Sequence, residues 1–451
     1  MEDMCYYGLT IDRKAGEDIM QYADIIQESL DYIEDNLKTD ITAGELADMA
    51  GFSVFHFSHL FSRAVGLPVR QYIVRRRLLW AAWEMARGTK QIDAAYAYGF
   101  STAAGFYKAF RREFGCSPSE YAKDFCARKP YRIHLTKEES IMISNAKLRE
   151  VLRNWDLSDN TIQTMVQTQD GNVRENTCYV GQNHVLKLFS SAVSAKANAD
   201  VMTAMEAAGL SCGAPVKTKA GESVYSDGEL YFLLTRRIHG SELDPDALFG
   251  AEGQEHARYL GRILGQLHTA LAACPDLVCN ERDIYREVCD CWLAPAAQAM
   301  GLPERFSEEY RSFGPLHDSL PVQIIHRDPN PSNILMQEGR LAGFIDFDLT
   351  QRSIRLFDPC YAATAVLCGL FQKGQQDRLD AWLDVFREIL RGYDGVAQLT
   401  PEEKQAIPMV VLSIQLICVG WFSAYDKYHS LAKTNMDMLR WLQKHREQLT
   451  L

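Results

Sequence analysis

Four polar residues between positions 326 and 346 have the types and the spacing that phosphoryl transfer requires. They are His326, Asp328, Asn333 and Asp346, in the stretch HRDPNPSNILMQEGRLAGFIDFD. One carboxylate can accept the proton of an attacking hydroxyl, while a second carboxylate and an amide oxygen hold Mg²⁺ against nucleotide phosphates. The alternative is a polar loop whose acids are merely solvated, and it requires all four residues to fall in this order by accident.

The segments around these residues must place them together. Asp328 and Asn333 lie in a Pro-rich loop, and a short apolar strand ending at Ile345 delivers Asp346. Farther upstream, two β-rich runs on either side of Gly181 predict a hairpin, with Lys187 between apolar neighbours in its second strand. A buried ammonium must find an anion or extend to water. Lys187 is therefore either a ligand of nucleotide phosphate or an edge lysine on a solvated face.

Length and composition predict a soluble protein of several domains. The 451 residues are enough for two or three domains, and 47% hydrophobic with 24% charged residues is ordinary for globular proteins. We find no N-terminal signal pattern, and the apolar run at 409–422 reads as too short and too mixed to span a bilayer. The twelve cysteines lack zinc-site spacing. We therefore expect reduced thiols, a cytoplasmic location and no membrane partner.

The charge of the chain is distributed unevenly. Residues 1–40 carry 3 Lys/Arg and 11 Asp/Glu, whereas residues 41–129 carry 13 Lys/Arg and 7 Asp/Glu, and the whole chain has a net charge of −11. A basic segment inside an acidic chain favours a polyanionic partner for that segment alone. Charge by itself does not distinguish such a partner from an ordinary solvated face.

That basic segment contains two similar helical units. In the first, the sequence TAGE at 42–45 is a capping box, Gly51 makes a turn, and Ser53 can cap a helix with an apolar stripe that ends at Gly66. A longer helix at 68–87 follows, and then Gly99-Phe100-Ser101 opens a second aromatic-rich helix. Two short helices joined by a Gly turn predict a helix-turn-helix in each unit.

Residues of about 20–126 resemble the AraC/XylS-type DNA-binding domain. The resemblance rests on LADMAGFSVFHFSHLFSRAVG, YIVRRRLLWAA and AYAYGFSTAAGFYKAFRREFGCSPSEY. It implies seven helices, with two recognition helices entering successive major grooves of double-stranded DNA about 34 Å apart. The first, 53–65, would direct Phe55, His56, Ser58, His59 and Arg63 towards DNA. The second, 102–113, would offer Thr102, Ala103, Tyr107, Lys108 and Arg112.

The two recognition helices differ in what they can read. Ala103, Ala104 and Gly105 leave the second helix poor in groups that hydrogen-bond to bases. We therefore expect the first unit to contribute more of the sequence discrimination and the second more of the phosphate contact. His56 is alternatively a packing residue.

Residues of about 145–451 resemble the aminoglycoside phosphotransferase/choline kinase-like family. The carrying stretches are HVLKLF, YFLLTRRIHG, LGQLH, HRDPNPSNIL, GFIDFD and FDPCY. The resemblance implies an α+β, bilobal, protein-kinase-like domain that uses ATP or another nucleoside triphosphate with Mg²⁺. A polar turn at 170–176 would cover the phosphates, and the part of the chain after about 239 would be mainly helical.

The resemblance also implies a role for individual residues. Asp328 would be the catalytic base, His326 would brace its loop, Asn333 and Asp346 would be the metal ligands, and Asp358 would stabilise the loop that follows Asp346. The nucleotide would be bound by Lys187, by the backbone over Leu234, Arg236 and Ile238, and by an acid that pairs with Lys187. Spacing favours Asp200 for that acid, and Glu206 remains the alternative.

The sequence thus predicts a multidomain chain with an all-α double helix-turn-helix domain at 15–127, a linker at 128–143 and the kinase-like domain at 144–451. Its lobes would divide near residue 238. We expect a transcriptional regulator whose second domain phosphorylates a hydroxyl group of a small molecule. The alternative is a sensor whose kinase-like domain binds nucleotide or ligand with little turnover. The substrate, the DNA site and the oligomeric state are not encoded in any readable motif.

Overall fold

The computed structural model describes residues 13–65, 67–114, 117–119, 130, 145–166, 173–228, 230–273, 279–423 and 428–451. The chain divides into two compact units. One comprises residues up to 199 together with 215–237, and the other comprises 200–214 together with 238–451.

The first part of unit 1 is a set of helices whose ends follow the predicted caps. Thr42 accepts a hydrogen bond from the Glu45 amide at 3.1 Å, and Thr102 accepts one from the Gly105 amide at 3.0 Å. The seventh helix predicted to begin near Ser117 lies mainly outside the described residues. The six described helices are α1 (Arg13–Asp35), α2 (Ala43–Met49), α3 (Val54–Val65), α4 (Val69–Ala86), α5 (Gln91–Ala97) and α6 (Ala103–Phe114).

Aromatic side chains form the core of these helices. Phe57, Phe61, Phe106 and Phe110 are fully buried, at the spacing of one helix face in α3 and in α6. The turn before each of these helices contains a glycine with positive φ, and Gly99 (φ +77°) also faces the Arg77 side chain.

A buried ion pair joins α1 to α4. The guanidinium of Arg76, which is inaccessible to solvent, contacts the carboxylate of Glu34, and the Trp80 indole donates to the same carboxylate at 3.1 Å. This arrangement ties the acidic N-terminal helix to the long helix that links the two helix-turn-helix units.

The second part of unit 1 is a five-stranded antiparallel sheet. Its order is β1 (Ile162–Val166), β2 (Val173–Val180), β3 (His184–Phe189), β5 (Tyr231–Arg236) and β4 (Tyr225–Ser226). Helix α7 (Asn145–Leu152) precedes the sheet, and helix α8 (Ala192–Ala207) follows β3. The hairpin predicted around Gly181 is present.

One prediction for this sheet needs correction. The polar turn expected at 170–176 does not extend that far, because residues 173–176 belong to β2; residues 170–172 lie outside the described part. Strand β5 ends at Arg236, two residues before Ile238. Pro215 joins the sheet only through a single bridge to Thr235.

Unit 2 contains two small sheets, although the sequence predicted that the chain after about residue 239 would be mainly helical. One sheet has the order β10 (Arg340–Phe344), β9 (Ile334–Gln337) and β6 (Ser241–Glu242). The other has the order β7 (Asn280–Glu281), β11 (Gln351–Ile354) and β8 (Val322–Ile325). The loop that contains Asp328 runs from β8 to β9, so each sheet fixes one end of it.

Helices surround these sheets. Helix α9 (Gly253–Ala272) packs closely along α15 (Leu379–Ala397), because Gly261 and Gly392 leave room for the backbone of the opposite helix. The remaining helices of unit 2 are α10 (Ile284–Glu287), α11 (Leu293–Met300), α12 (Glu304–Arg311), α13 (Gly314–His317), α14 (Phe357–Gln372), α16 (Pro401–Ser423) and α17 (His429–Lys444).

The apolar run near the C-terminus belongs to α16. This helix has 23 residues, so it is longer than the apolar run at 409–422 on which the sequence prediction rested. By length and composition it is the one helix among the described residues that could cross a membrane. Its most apolar window is 67% buried inside the protein, and its side chains pack in the core of unit 2.

Candidate functional site

The loop between β8 and β9 holds Asp328 through its own amide side chains. The Asn330 Nδ2 donates to Asp328 Oδ1 at 2.8 Å, and the Asn333 Nδ2 donates to Asp328 Oδ2 at 3.0 Å and to the Asp328 carbonyl at 2.9 Å. A short 3₁₀ turn, Pro331–Asn333, brings Asn333 back to Asp328. The two residues that the sequence placed five positions apart are therefore in direct contact.

His326 connects this loop to the strand that delivers Asp346. Its Nδ1 accepts the Asp328 amide at 3.3 Å, so Nε2 carries the proton and donates to the Ile345 carbonyl at 3.0 Å. The ring lies against Phe347, with 4.7 Å between centroids. These contacts fix one tautomer of His326 and hold the two acid-bearing segments together.

Asp346 lies at the point where β10 ends. Its backbone is left-handed, with φ +65° and ψ +68°, and the preceding amide of Ile345 donates to the Asn333 carbonyl at 3.0 Å. A left-handed conformation is costly for a residue other than glycine and is typical of functional sites. The structure thus brings all four sequence-predicted residues together.

Asp358 supports the loop that contains His326 and Asp328, rather than the loop after Asp346 that the resemblance implied. This carboxylate is fully buried in the first turn of α14, and it accepts the backbone amides of His326 at 2.9 Å and Arg327 at 3.0 Å. His268 from α9 contributes a third hydrogen bond at 2.8 Å, and its other ring nitrogen lies 2.7 Å from the Tyr393 hydroxyl. A buried carboxylate with this many donors holds the loop backbone in one conformation.

Arg327 and Glu287 form a buried pair that the sequence did not reveal. Arg327 has φ +74°, its guanidinium lies 3.9 Å from the centre of the Phe357 ring, and its Nη2 donates to Glu287 Oε2 at 3.3 Å. Glu287 leads directly into a π-helical turn, Val288–Trp292. No local pattern marks a pair whose members are 40 residues apart.

The pKa of Asp328 is raised above its usual range, chiefly because the carboxyl is desolvated and also because the Asp346 charge is near. Hydrogen bonds from Asn330 and from the Tyr361 hydroxyl oppose this rise. Burial, followed by the nearby charge of Asp328 and the same hydrogen bond, raises the pKa of Tyr361 well above its usual value. Tyr361 is thus a contact of Asp328, a role that the motif FDPCY did not disclose.

Asn333 and Asp346 fit a hard divalent cation. The Asn333 nitrogen is used by Asp328, which leaves its amide oxygen, and Asp346 supplies a carboxylate. Oxygen donors of this kind are what Mg²⁺ prefers, usually with water and phosphate oxygens completing the shell.

The residues predicted to bind nucleotide lie mainly in unit 1. Lys187 is half-buried in the middle of β3, paired in register with Thr177 and Leu233, and its ammonium lies 5.7 Å from the centre of the Phe189 ring. Leu234 is buried in the sheet, where its carbonyl accepts the Val216 amide at 2.8 Å.

The other predicted nucleotide residues are at the surface or on α8. The Arg236 side chain is exposed at the end of β5, and Ile238 is half-buried beyond it. Glu206 is engaged locally, because its carboxylate accepts the Cys212 amide at 3.0 Å. Asp200 is half-buried on the same helix. The choice of Asp200 as the acid of the nucleotide site stays a prediction.

The predicted DNA-contacting residues lie mostly on exposed faces of α3 and α6. Phe55 is 85% exposed, the largest exposed fraction among the large hydrophobic side chains of the described residues. His56 stacks edge-on against Phe52 at 4.9 Å, in keeping with the packing alternative. Ser58 and Ala103 are half-buried, and the Arg63 side chain lies outside the described residues. The exposed side chains are Phe55, His56, His59, Thr102, Tyr107, Lys108 and Arg112.

The fold and these residues define the class of protein: a helix-turn-helix DNA-binding regulator joined to a phosphotransferase domain of kinase-like fold. The phosphotransferase enzyme family matches residues 166–399, just over half of the chain, and the chain belongs to that family. A helix-turn-helix domain of AraC type matches residues 46–124.

Curated relatives match the N-terminal part. The HTH-type transcriptional activator AarP of Providencia stuartii is 38% identical over 98 residues, 22% of this chain and 73% of that protein. The regulatory protein SoxS of Salmonella typhimurium is 30% identical over 103 residues, 23% of this chain and 96% of that protein. A putative HTH-type regulator, YkgA of Escherichia coli, is 33% identical over 111 residues, 24% of this chain, but this chain spans only 46% of it.

Solved structures match the C-terminal part. A microcompartment-associated aminopropanol kinase has a TM-score of 0.49 at 15% identity, covering 67% of this chain and 96% of that one. An amicoumacin kinase in complex with AMP-PNP, Ca²⁺ and amicoumacin has a TM-score of 0.48 at 16% identity, covering 67% and 95%. Identities this low carry no information about the substrate of this chain.

Proposed function

We propose that this protein binds specific double-stranded DNA through its helix-turn-helix domain and transfers the γ-phosphate of ATP to a hydroxyl group of a small molecule through its second domain. The observation that carries the enzymatic part is the convergence of Asp328, Asn333 and Asp346 on one loop and the adjoining strand end. The domains would be residues 15–127 and 144–451, joined by 128–143.

Asp328 is the proposed base. It would accept the proton of the acceptor hydroxyl as that oxygen attacks phosphorus, and its raised pKa makes it a stronger base than an ordinary carboxylate. His326 orients the loop through its two ring nitrogens, and Asp358 holds the backbone under it.

Asn333 and Asp346 are the proposed ligands of Mg²⁺, which supplies charge neutralisation for the phosphates when it is bound. Lys187 and Asp200, with the backbone over Leu234, Arg236 and Ile238, are the proposed nucleotide-binding residues. None of these roles requires a group that the chain lacks.

The second candidate is a sensor that binds nucleotide or small molecule with little turnover. It is favoured by the donors around Asp328, since Asn330 hydrogen-bonds to one oxygen of that carboxylate and Asn333 to the other. A carboxylate held on both oxygens has fewer lone pairs with which to accept a substrate proton. In this case ligand binding would change DNA affinity by linkage.

An ATP-consumption screen distinguishes the two candidates. The full-length chain is incubated with ATP, Mg²⁺ and one acceptor at a time from amino alcohols, aminoglycosides, macrolides, choline and sugars. Each reaction is repeated with a duplex that the chain itself selects from a random pool. With an accepted substrate, Asp328→Asn should reduce turnover by roughly 10²–10⁴-fold, the usual contribution of a general base.

The matched control is Asp384→Asn, an exposed helix acid that pairs with Arg387 in its own turn. It should leave turnover unchanged. If Asp328→Asn kept the turnover of the wild type, Asp328 would not be the catalytic base. Ligands that change duplex affinity without any consumption of ATP would establish the sensor.

A further inference from the structure

A second group of metal-binding side chain types lies in unit 2 and shares no residue with the set assigned above. Asp283, His317 and Asp318 place one ligand atom each within 4.8 Å of one another. The Nδ1 of His317 lies 3.7 Å from Asp283 Oδ1 and 3.8 Å from Asp318 Oδ1. Both separations are too long for hydrogen bonds, so Nδ1 of His317 is bonded to neither carboxylate.

His317 is the feature that points to a ligand. The residue is only 5% exposed, at the end of α13, and neither of its ring nitrogens has a hydrogen-bond partner. Its ring packs against those of Tyr285 and Phe313, at centroid distances of 5.8 and 5.7 Å. Burying an imidazole with both nitrogens unsatisfied is unfavourable, whereas a cation on Nδ1 would satisfy the nitrogen that faces the two acids.

The dimensions suit a small divalent cation. In a tetrahedral zinc site with bonds of about 2.0–2.2 Å, neighbouring ligand atoms are about 3.3–3.6 Å apart. The separations of 3.7 and 3.8 Å require a contraction of a few tenths of an ångström. The Asp318 side chain is 76% exposed, so it can move inward and water can complete the shell.

Asp283 remains available although it caps a helix. Its Oδ1 accepts the Arg286 amide at 2.9 Å, and its Oδ2 lies 3.4 Å from the Arg286 Nε. A carboxylate has about four lone-pair positions, so one further ligand bond is possible. One imidazole and two carboxylates are a donor set that zinc accepts and that Mg²⁺ rarely selects.

We propose that Asp283, His317 and Asp318 bind a divalent transition-metal cation, with Zn²⁺ as the best fit. The cation joins the start of α10 to the end of α13. Helix α10 also carries Glu287, the partner of Arg327 in the catalytic loop, so the bound ion steadies the helix that supports that loop.

Zinc titration of the full-length chain tests the site. The chain is stripped with a chelator and titrated with zinc chloride against a chromophoric chelator, in excess Mg²⁺ so that hard-oxygen sites are filled. The wild type should bind one tight equivalent that Asp318→Asn weakens at least tenfold. Because Asp318 is exposed, this variant keeps the fold. His317→Asn is the second variant, and it should lose the same equivalent.

The control is Asp437→Asn, a half-exposed helix acid that pairs with Arg440 and should bind zinc as the wild type does. Cobalt separates this site from thiols, since Co²⁺ bound here gives weak visible bands without a thiolate charge-transfer band. The proposal would be overturned if the wild type lacked the tight equivalent, or if both variants bound zinc as the wild type does. It would also be overturned if bound Co²⁺ gave a thiolate charge-transfer band that persisted in both variants.

Discussion

The carboxylate of Asp358 accepts the backbone amide of His326 at 2.9 Å, although 32 residues separate them in sequence. The neighbouring amide of Arg327 donates to the other oxygen of the same carboxylate at 3.0 Å. Two consecutive amides held in this way fix the chain direction at the point where Arg327 adopts φ +74°. Asp358, in the first turn of α14, therefore stabilises the left-handed conformation of Arg327 that precedes Asp328.

Asp358→Asn tests this support. An amide nitrogen would replace one oxygen and face either the Arg327 amide or the pair formed by the His326 amide and His268. Leaving buried donors unsatisfied destabilises the closed loop by on the order of 3 kcal/mol. This corresponds to about 100-fold more frequent local opening of the loop. Hydrogen exchange of peptides covering 322–333 should accelerate accordingly. The exposed Asp384→Asn should leave exchange there unchanged, and unchanged exchange in Asp358→Asn would show that the loop holds itself.

Tyr361→Phe tests the base. The Tyr361 hydroxyl donates to the ionised Asp328 and so lowers the pKa of that carboxyl relative to burial alone. Without the hydrogen bond the pKa rises, and Asp328 stays protonated to higher pH. The acid limb of kcat/KM against pH should therefore move to higher pH, with activity recovered on the alkaline side. Tyr96→Phe, an exposed tyrosine of α5, is the control. If the wild type and Tyr361→Phe gave the same profile of kcat/KM against pH, Tyr361 would have no influence on the pKa of Asp328.

The clustering of the four motif residues was predictable because they are close in sequence. His326, Asp328 and Asn333 lie within one loop, and Asp346 ends the next hairpin, so order and spacing alone predicted the group that the structure assembles. The partners that tune it were not predictable. Glu287 reaches Arg327 across 40 residues, and such contacts exist only once the chain has folded.

The elements of the fold likewise divide into those that local sequence signals predict and those that depend on distant contacts. Capping residues and aromatic periodicity predicted the helices of unit 1 to within a few residues, because each of these signals is local. Strands β6 and β7 are two residues long and show no alternation that a sequence could display. They are strands only because β9 and β11 pair with them.

Gly392→Ala tests the close packing of α9 and α15. A Cβ at position 392 would lie 2.0 Å from the carbonyl oxygen of Arg258, so the helices must separate. Such overpacking costs about 1–3 kcal/mol or more, and the apparent Tm should fall. Gly395→Ala is the matched control in the same helix, since its Cβ meets nothing within 4 Å. It should raise stability by about 0.5–1 kcal/mol. Equal effects at the two positions would contradict the packing argument.

Lys108→Ala and His59→Ala test how the two recognition helices share DNA binding. Both side chains are exposed, on α6 and α3. If Lys108 neutralises one phosphate, its removal should reduce the slope of log K against log salt by about 0.9 and weaken all duplexes alike. If His59 reads a base edge, its removal should leave the slope nearly unchanged and reduce discrimination against a mismatched duplex. Lys433→Ala, an exposed lysine of α17, is the charge control. A salt slope that Lys108→Ala does not change would place that ammonium away from the DNA backbone.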